Sequence, residues 1–213
     1  MLVAGTIASQ LVQLLGIPQL STGDMLRDAV LSGTEEGKHA KDVMRAGGLV
    51  SNDIVMKIIR NRIKQEDCKL GFILDGFPRT LEQAQMLDAL LVSQAMSVSR
   101  VVSLQVPDDI LEERICGRWV HKESGRTYHV KFKQPKSMKT EGRFVLLDDE
   151  TGESLVQRPD DTPEALATRL ENYHSATLPI LDYYQDKGLV INVNANQSPS
   201  GVFEDTKNHL RRI

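Results

Sequence analysis

An α/β fold built on a parallel sheet flanked by helices is the class this sequence predicts, and three observations predict it. Short apolar runs rich in β-branched residues alternate with segments of helical periodicity along most of the 213 residues. One such run, Gly71-Phe72-Ile73-Leu74, ends in Asp75-Gly76-Phe77-Pro78-Arg79-Thr80. That string sets a carboxylate and a guanidinium at the carboxyl end of a strand, where open sheets of this class bind ligands. Between Trp119 and Gln157 the pattern changes to short alternating pieces separated by Gly, Pro, Lys and Asp, which marks a small β-rich insertion.

Taken in order, Ile7, Leu11, Leu14 and Leu15 recur at helical spacing before Gly16, so Gly5 to Leu15 is expected as a helix with a glycine stop. Ile17 to Leu20 is a short strand. Ser21-Thr22-Gly23-Asp24 caps a helix through Leu31, and stretches 34–46 and 52–65 complete an all-helical section. Strand 71–75 follows, then a helix opened by Thr80-Leu81-Glu82-Gln83 and a strand at 101–106 stopped by Pro107. A helix from Asp108 ends at Arg118. In the insertion, Tyr128 to Phe132 and Phe144 to Leu147 are the extended pieces. Thr162-Pro163-Glu164 starts another helix with Pro at its first position, and Leu189 to Val193 is the last strand before a C-terminal helix.

Composition narrows the function classes. Hydrophobic content of 40% and charged content of 26% fit a soluble globular chain, and no run reaches the roughly 18 apolar residues of a membrane span. A net charge of -3 argues against nucleic-acid binding through bulk charge. The opening Met1 to Ala4 has no leader pattern, so a cytoplasmic address is expected, with a mitochondrial one left open. Cys68 and Cys116 lie far apart without metal-ligand spacing; Cys116 sits between Arg114 and Arg118, which would favour a thiolate, beside the plainer reading of an inert thiol.

Six arginines carry the chemistry: Arg27, Arg79, Arg114, Arg118, Arg158 and Arg169. Each taken singly reads as solvated charge. Their positions say more, because Arg79 follows a strand-end turn while Arg118 and Arg158 flank the insertion. Guanidinium forks bind phosphate oxygens bidentately, so arginines at the base of a flap suit a transferring phosphoryl group.

Ser21-Thr22-Gly23-Asp24-Met25-Leu26-Arg27, Asp75 to Thr80, Gly117-Arg118, Ser124-Gly125-Arg126-Thr127-Tyr128-His129 and Arg158-Pro159-Asp160-Asp161 appear in the order and spacing of adenylate kinases with the long lid, and from about Gly5 onward the sequence resembles that family. The resemblance implies a P-loop-kinase-type core (1–21, 53–118 and 158–213), a helical AMP-binding unit at 22–52 and a lid at 119–157. It implies the reaction ATP + AMP to two ADP, with ATP or GTP as donor, by a monomer with no nucleic-acid or membrane partner. The AMP pocket would be Thr22, Arg27, Gly48, Leu49, Val50, Gly76, Arg79, Gln83, Arg158 and Arg169. Gln83 reads either as the side chain that recognises adenine or as the third helical residue in a capping box with Thr80. Arg79, Arg118, Arg158 and Arg169 would surround the moving phosphoryl group. Gly5, Thr6, Arg114, Arg118, Thr127, Tyr128 and Gln197 would meet the donor, and Asp75 would hold the water shell of magnesium that arrives with ATP.

Where some lids of the family carry four zinc-binding cysteines, this sequence has His121, Ser124, Asp148 and Thr151, a set suited to a hydrogen-bonded network and not to structural zinc. The lid lysines Lys122, Lys131, Lys133, Lys136 and Lys139 read as a solvated face or as an RNA or partner patch. The family opens with a strand, a loop of the type Gly-x-Pro-Gly-x-Gly-Lys-Gly-Thr, and a helix. This sequence joins that pattern at Gly5-Thr6, with Ala4 at the lysine position and Met1 to Val3 where the loop glycines stand. The expectation is a sheet without its central first strand, between strands 71–75 and 101–106. One preorganised donor is worth roughly 3 to 4 kcal/mol of transition-state stabilisation, so transfer by this polypeptide is expected to be slow. The alternative is a non-catalytic AMP-binding or partner-binding relative.

Overall fold

The computed structural model describes residues 2–140 and 145–211, and the side chains of 7–138 and 145–211. Helix α1 (Leu2–Leu15) begins before the expected Gly5, because Leu2, Val3 and Ala4 contain nothing that interrupts a helix. Residues 2–4 are therefore helical and not loop. The helix stops where expected: Gly16 takes a φ of 67° and its N–H closes on the Val12 carbonyl at 2.8 Å.

Strand β1 (Gln19–Ser21) leads into helices α2 (Thr22–Leu31), α3 (Glu35–Arg45) and α4 (Asn52–Arg62), then a 3-10 turn (Glu66–Cys68) and strand β2 (Ile73–Asp75). Ser21 and Thr34 cap α2 and α3 by accepting from Asp24 N and Gly37 N. A Cβ on Gly37 would lie 2.1 Å from the Ala29 carbonyl oxygen, so α2 and α3 cross with their backbones in contact. β2 starts two residues later than expected because Gly71 holds a φ of 122° to close the turn from Cys68.

Helix α5 (Leu81–Val92), strand β3 (Val101–Gln105) and helix α6 (Asp108–Cys116) follow, then β4 (Arg118–Val120), β5 (Thr127–His129) and a short α7 (Ser137–Thr140) in the insertion. The chain ends with α8 (Pro163–Asn172), α9 (Leu178–Gln185), β6 (Val190–Asn194) and α10 (Pro199–Leu210). β1 pairs with β2 and β3 with β6, both in parallel, whereas β4 and β5 are antiparallel. Among the described residues no ladder joins β2 to β3, as expected for a sheet without a strand between them.

Alternation along the strands builds three layers. Ile73, Val102, Leu104, Ile191 and Val193 face Ile7 and Leu11 of α1 and Val202 of α10, while Val101 and Val190 face Ala84 of α5 and Ile180 and Tyr184 of α9. The largest core joins β1 to the helical section through Leu20, Leu26, Ile59, Phe77, Leu87 and Leu91. Each such side chain, fully buried, contributes roughly 1.5 to 3 kcal/mol. Asp88 pins α5 to α9 by accepting from Tyr183, Tyr184 and Lys187. No helix among the described residues is long and apolar enough to cross a membrane.

Several local expectations are corrected. The helix starting at Pro163, to which the sequence assigns no end, stops at Asn172, and a π-helical turn, Tyr173–Thr177, separates α8 from α9, because Pro179 has no N–H for the Ser175 carbonyl and its ring crowds that turn. Arg118 is not the end of a helix. Gly117 closes α6, and Arg118 is the first residue of β4. The extended piece expected at 128–132 is confined to β5, because the buried His129 ring takes the amides a strand would use. Its Nδ1 accepts from Lys131 N and Phe132 N at 2.9 and 3.1 Å, and its Nε2 donates to the Glu113 carbonyl at 3.0 Å. Of the piece expected at 144–147, Phe144 lies outside the described residues and Leu147 makes one antiparallel bridge to Ser154.

The four zinc-position residues do form a network. His121 Nδ1 lies 2.7 Å from Ser124 Oγ, and Thr151 Oγ1 donates to Asp148 at 3.1 Å. Asp148 also accepts from Arg126 at 2.9 and 2.7 Å and from the Tyr128 hydroxyl at 2.8 Å. The Arg126 fork brings the Asp148 carboxyl far below the usual range.

Burial pushes the His129 imidazole below its ordinary 6.5, although the Glu113 carbonyl works the other way. The folded form is then the poorer proton binder, so its contribution is complete above about pH 6.5 and falls as pH drops below it. Protection factors of the amides in residues 118–133, which correct for the intrinsic rate, are expected to fall as pH drops from about 7.5 to about 5.5. His129→Gln should flatten that slope. Parallel slopes in the two proteins would rule out His129 as the titrating group.

Candidate active site

The strand-end turn after β2 is built around Gly76. Its φ of 76° is open to glycine, and a Cβ there would lie 3.2 Å from both Arg79 Nη2 and Thr22 Oγ1. The Thr22 hydroxyl, at the start of α2, lies 3.1 and 3.0 Å from the carbonyls of Asp75 and Gly76, which ties the helical section to the turn. Arg79 folds back so that its Nε donates to the Gly76 carbonyl at 2.8 Å. The Phe77–Pro78 bond inside the turn is cis.

Around this turn the structure gathers five of the six arginines. Arg118 is buried and forks onto Asp161, with Nε 2.8 Å from Oδ2 and Nη2 on Oδ1. Arg169, from α8, pairs with Asp160, and Arg27 Nη1 approaches the same carboxylate at 3.5 Å. Arg27 Nη2 also donates to Asp24 Oδ1 at 2.6 Å, where Arg158 Nη2 donates at 3.0 Å. Arg79 has no carboxylate partner among the described residues, and Arg169 Nη1 is buried with no hydrogen-bond partner. Burial, followed by repulsion from Arg169 and Arg27, lowers the Arg79 pKa; burial, then Arg27 and Arg118, lowers that of Arg158. Such a cluster has the charge and the free donors to take an oxyanion.

Gln83, the third residue of α5, is buried with its carboxamide in use at both ends: Oε1 accepts from Arg79 N at 2.8 Å, and Nε2 donates to Asn52 Oδ1 at 2.9 Å. Half of the capping box is present, since Gln83 N donates to Thr80 Oγ1 at 3.1 Å. The return bond goes to Arg79 N and not to Thr80 N. Val50 is buried in the largest core, and Gly48 and Leu49 lie beside it between α3 and α4. The neighbouring Gly47 sits so close to α8 that a Cβ would lie 2.3 Å from the Ala165 carbonyl oxygen.

Comparison with known proteins supplies the family. The family model described as "Adenylate kinase" matches residues 3–189. The chain belongs to the adenylate kinase family. It is 49% identical to "Adenylate kinase 3" of Oryza sativa subsp. japonica over 191 residues, 90% of this chain and 76% of that protein. It is 47% identical to "Adenylate kinase 4" of Arabidopsis thaliana, over 90% of this chain and 75% of the relative. With "Adenylate kinase" of Yarrowia lipolytica (strain CLIB 122 / E 150) it shares 46% identity over 202 residues, 94% of this chain and 78% of the relative. The family is one of nucleoside monophosphate kinases, so the α/β core above is that of a phosphotransferase family.

The residues the family resemblance assigns to the donor are not gathered in the same way. Arg114 Nη1 donates to the Ala195 carbonyl at 3.0 Å, and Gln197 braces the turn before α10 by donating to Asn194 O and Asp205. Those two stand together beyond the end of β6. Thr127 and Tyr128 lie in β5, with the Tyr128 hydroxyl engaged by Asp148, and Gly5 and Thr6 lie in α1, their side chains outside the described set. Asp75 accepts from Gln19 Nε2 through Oδ2 at 2.8 Å. Among the described residues no group of three or more His, Cys, Asp or Glu side chains is placed to hold a metal directly. A single strand-end carboxylate with one oxygen engaged fits a cation that keeps its waters and binds mainly phosphate oxygens.

Three carboxylates had no assigned role in the sequence reading: Asp24, Asp160 and Asp161. The signal was present, since acids beside the arginines in Asp24-to-Arg27 and Arg158-to-Asp161 are the natural counter-ions of a crowded cation cluster. Asn52 was also missed, and nothing in its sequence neighbourhood marks it. Asp161→Asn would leave Arg118 buried without its counter-ion, which typically costs about 3 to 5 kcal/mol. Urea unfolding should show a loss of that size; a loss under about 1 kcal/mol would mean that Arg118 finds another partner.

Proposed function

We propose that the arginine cluster at the strand ends is the acceptor site of an ATP + AMP to two ADP phosphotransferase, with 22–52 as the AMP-binding unit and 119–157 as the lid. The observation that carries the reading is the unneutralised charge. Arg27, Arg79, Arg118, Arg158 and Arg169 face Asp24, Asp160 and Asp161, and Arg79 and Arg169 Nη1 are left with free donors. A phosphate monoester carries the missing negative charge and offers the oxygens those donors lack. In this reading the nucleotide would lie beside Gly76 and Arg79, and Gln83 with Asn52 would read the base edge.

In this reading Arg27 and Arg79 hold the acceptor phosphate. Arg118, Arg158 and Arg169 draw charge from the phosphoryl group as its bond to the donor lengthens and its bond to the acceptor oxygen forms. Asp75 would orient the water shell of a magnesium ion, which supplies charge neutralisation between the donor phosphates when bound. ATP or GTP would be the donor, near Arg114, Thr127 and Gln197. The two free cysteines accord with a reducing, cytoplasmic setting, and a monomer suffices for this site.

These 213 residues contain no glycine-rich loop ending in lysine, so for this polypeptide we expect AMP binding to outlast transfer. Calorimetric titration should give saturable AMP binding and weaker ATP binding, beside slow ADP formation in a coupled assay. Tight ATP binding without AMP binding would overturn the reading. Arg79→Ala should weaken AMP by about tenfold to a hundredfold, the usual cost of a charge-assisted contact, and leave adenosine nearly unaffected. Gln83→Leu should narrow the gap between AMP and other nucleoside monophosphates; unchanged selectivity would reduce Gln83 to a cap residue.

A further inference from the structure

Two arginines of the cluster are bridged from within the chain itself. Asp24, in the first turn of α2, takes two of its guanidinium groups on a single oxygen: Arg27 Nη2 at 2.6 Å and Arg158 Nη2 at 3.0 Å. The two arginines come from distant parts of the chain, one from the 22–52 section and one from the segment where the insertion returns. The second contact therefore ties α2 to that return.

Gly23 makes the arrangement possible. A Cβ at Gly23 would lie 3.0 Å from Arg27 Nη2 and 3.6 Å from its Cζ. The Arg27 side chain thus lies folded back along its own helix over a residue with no side chain, which turns its fork toward Asp24. Its other arm is only 3.5 Å from Asp160. Burial works against ionisation of Asp24, yet the charge and hydrogen bond of Arg27, followed by Arg158, more than offset it, so the carboxylate stays charged.

Resting on the reading of the cluster as the AMP phosphate site, we propose that Asp24 is a built-in stand-in for that phosphate: its carboxylate straps Arg27 to Arg158 until the acceptor displaces it. Asp24 is thus a positioning residue that competes with the ligand. Phosphate binding would release it to solvent, where it is already half exposed, and would free the return segment to move with the nucleotide instead of with α2. A merely structural Asp24 would do the opposite, because losing it would misplace Arg27 and weaken AMP.

The test compares the wild-type chain with Asp24→Asn and Gly23→Ala. Asn keeps the shape and removes the charge, and Ala at 23 favours the helix while pushing Arg27 off its resting place. Calorimetry should show AMP bound about three- to tenfold more tightly by both variants, the scale of one or two half-exposed ion pairs, with adenosine changed less than twofold. Hydrogen exchange of residues 156–160 without nucleotide should be faster in Asp24→Asn. Asp24→Glu should restore slower exchange. Unchanged or weaker AMP binding in Asp24→Asn, or unchanged exchange, overturns the strap. Failure of the wild-type chain and of every variant to bind AMP would instead overturn the phosphate-site reading, and the exchange comparison would still decide whether Asp24 ties the two segments.

Discussion

Like charges crowded into one place set the terms for this fold. At an effective dielectric constant of about 20, two guanidinium groups about 4 Å apart repel by about 4 kcal/mol, so bringing Arg27, Arg79, Arg118, Arg158 and Arg169 together requires acids among them. The chain supplies those acids from separate elements. Asp24 comes from the start of α2, and Asp160 and Asp161 come from the loop that enters α8. The placing of α8 against α6, the depth of Arg118 at the edge of the insertion and the approach of Gly47 to Ala165 all serve that arrangement.

The strand-end turn depends on it in the same way. Gly76, Thr22, Arg79, Gln83 and Asn52 form one connected set, in which the Gln83 carboxamide joins the Arg79 backbone to the start of α4. The Arg79 end and the Asn52 end of this set are therefore not independent. A change that shifts α4 reaches Arg79 through a single side chain.

Much of this was legible in the residues, for identifiable reasons. Thr34, Thr80 and Thr162 mark helix starts because a hydroxyl at that position answers a free backbone N–H. The core strands showed as short apolar runs, and only the insertion showed alternation. What stayed hidden was pairing over long sequence distance: Arg118 with Asp161, Arg158 with Asp24 and Tyr128 with Asp148 are contacts the fold decides. The π-helical turn at 173–177 was hidden because Pro179 near the start of a helix reads the same whether the helix begins or continues there. The bend at His129 escaped because an imidazole that captures two amides has no local pattern. The arginines could be singled out from their positions beside turns and flaps; that five of them share one cluster and Arg114 stands apart could not.

The two parallel strand pairs bear on how the molecule comes apart. Among the described residues no ladder joins β2 to β3, so packing and side-chain hydrogen bonds hold the strand pairs together: α1 packs on Ile73 and on the β3–β6 pair from one face, and α5 meets α9 from the other through Ala84, Tyr184 and the Asp88 cluster. Backbone ladders propagate order from strand to strand, whereas apolar brackets weaken piecemeal. Cooperative melting thus leans on helix packing across the sheet more than on the sheet itself.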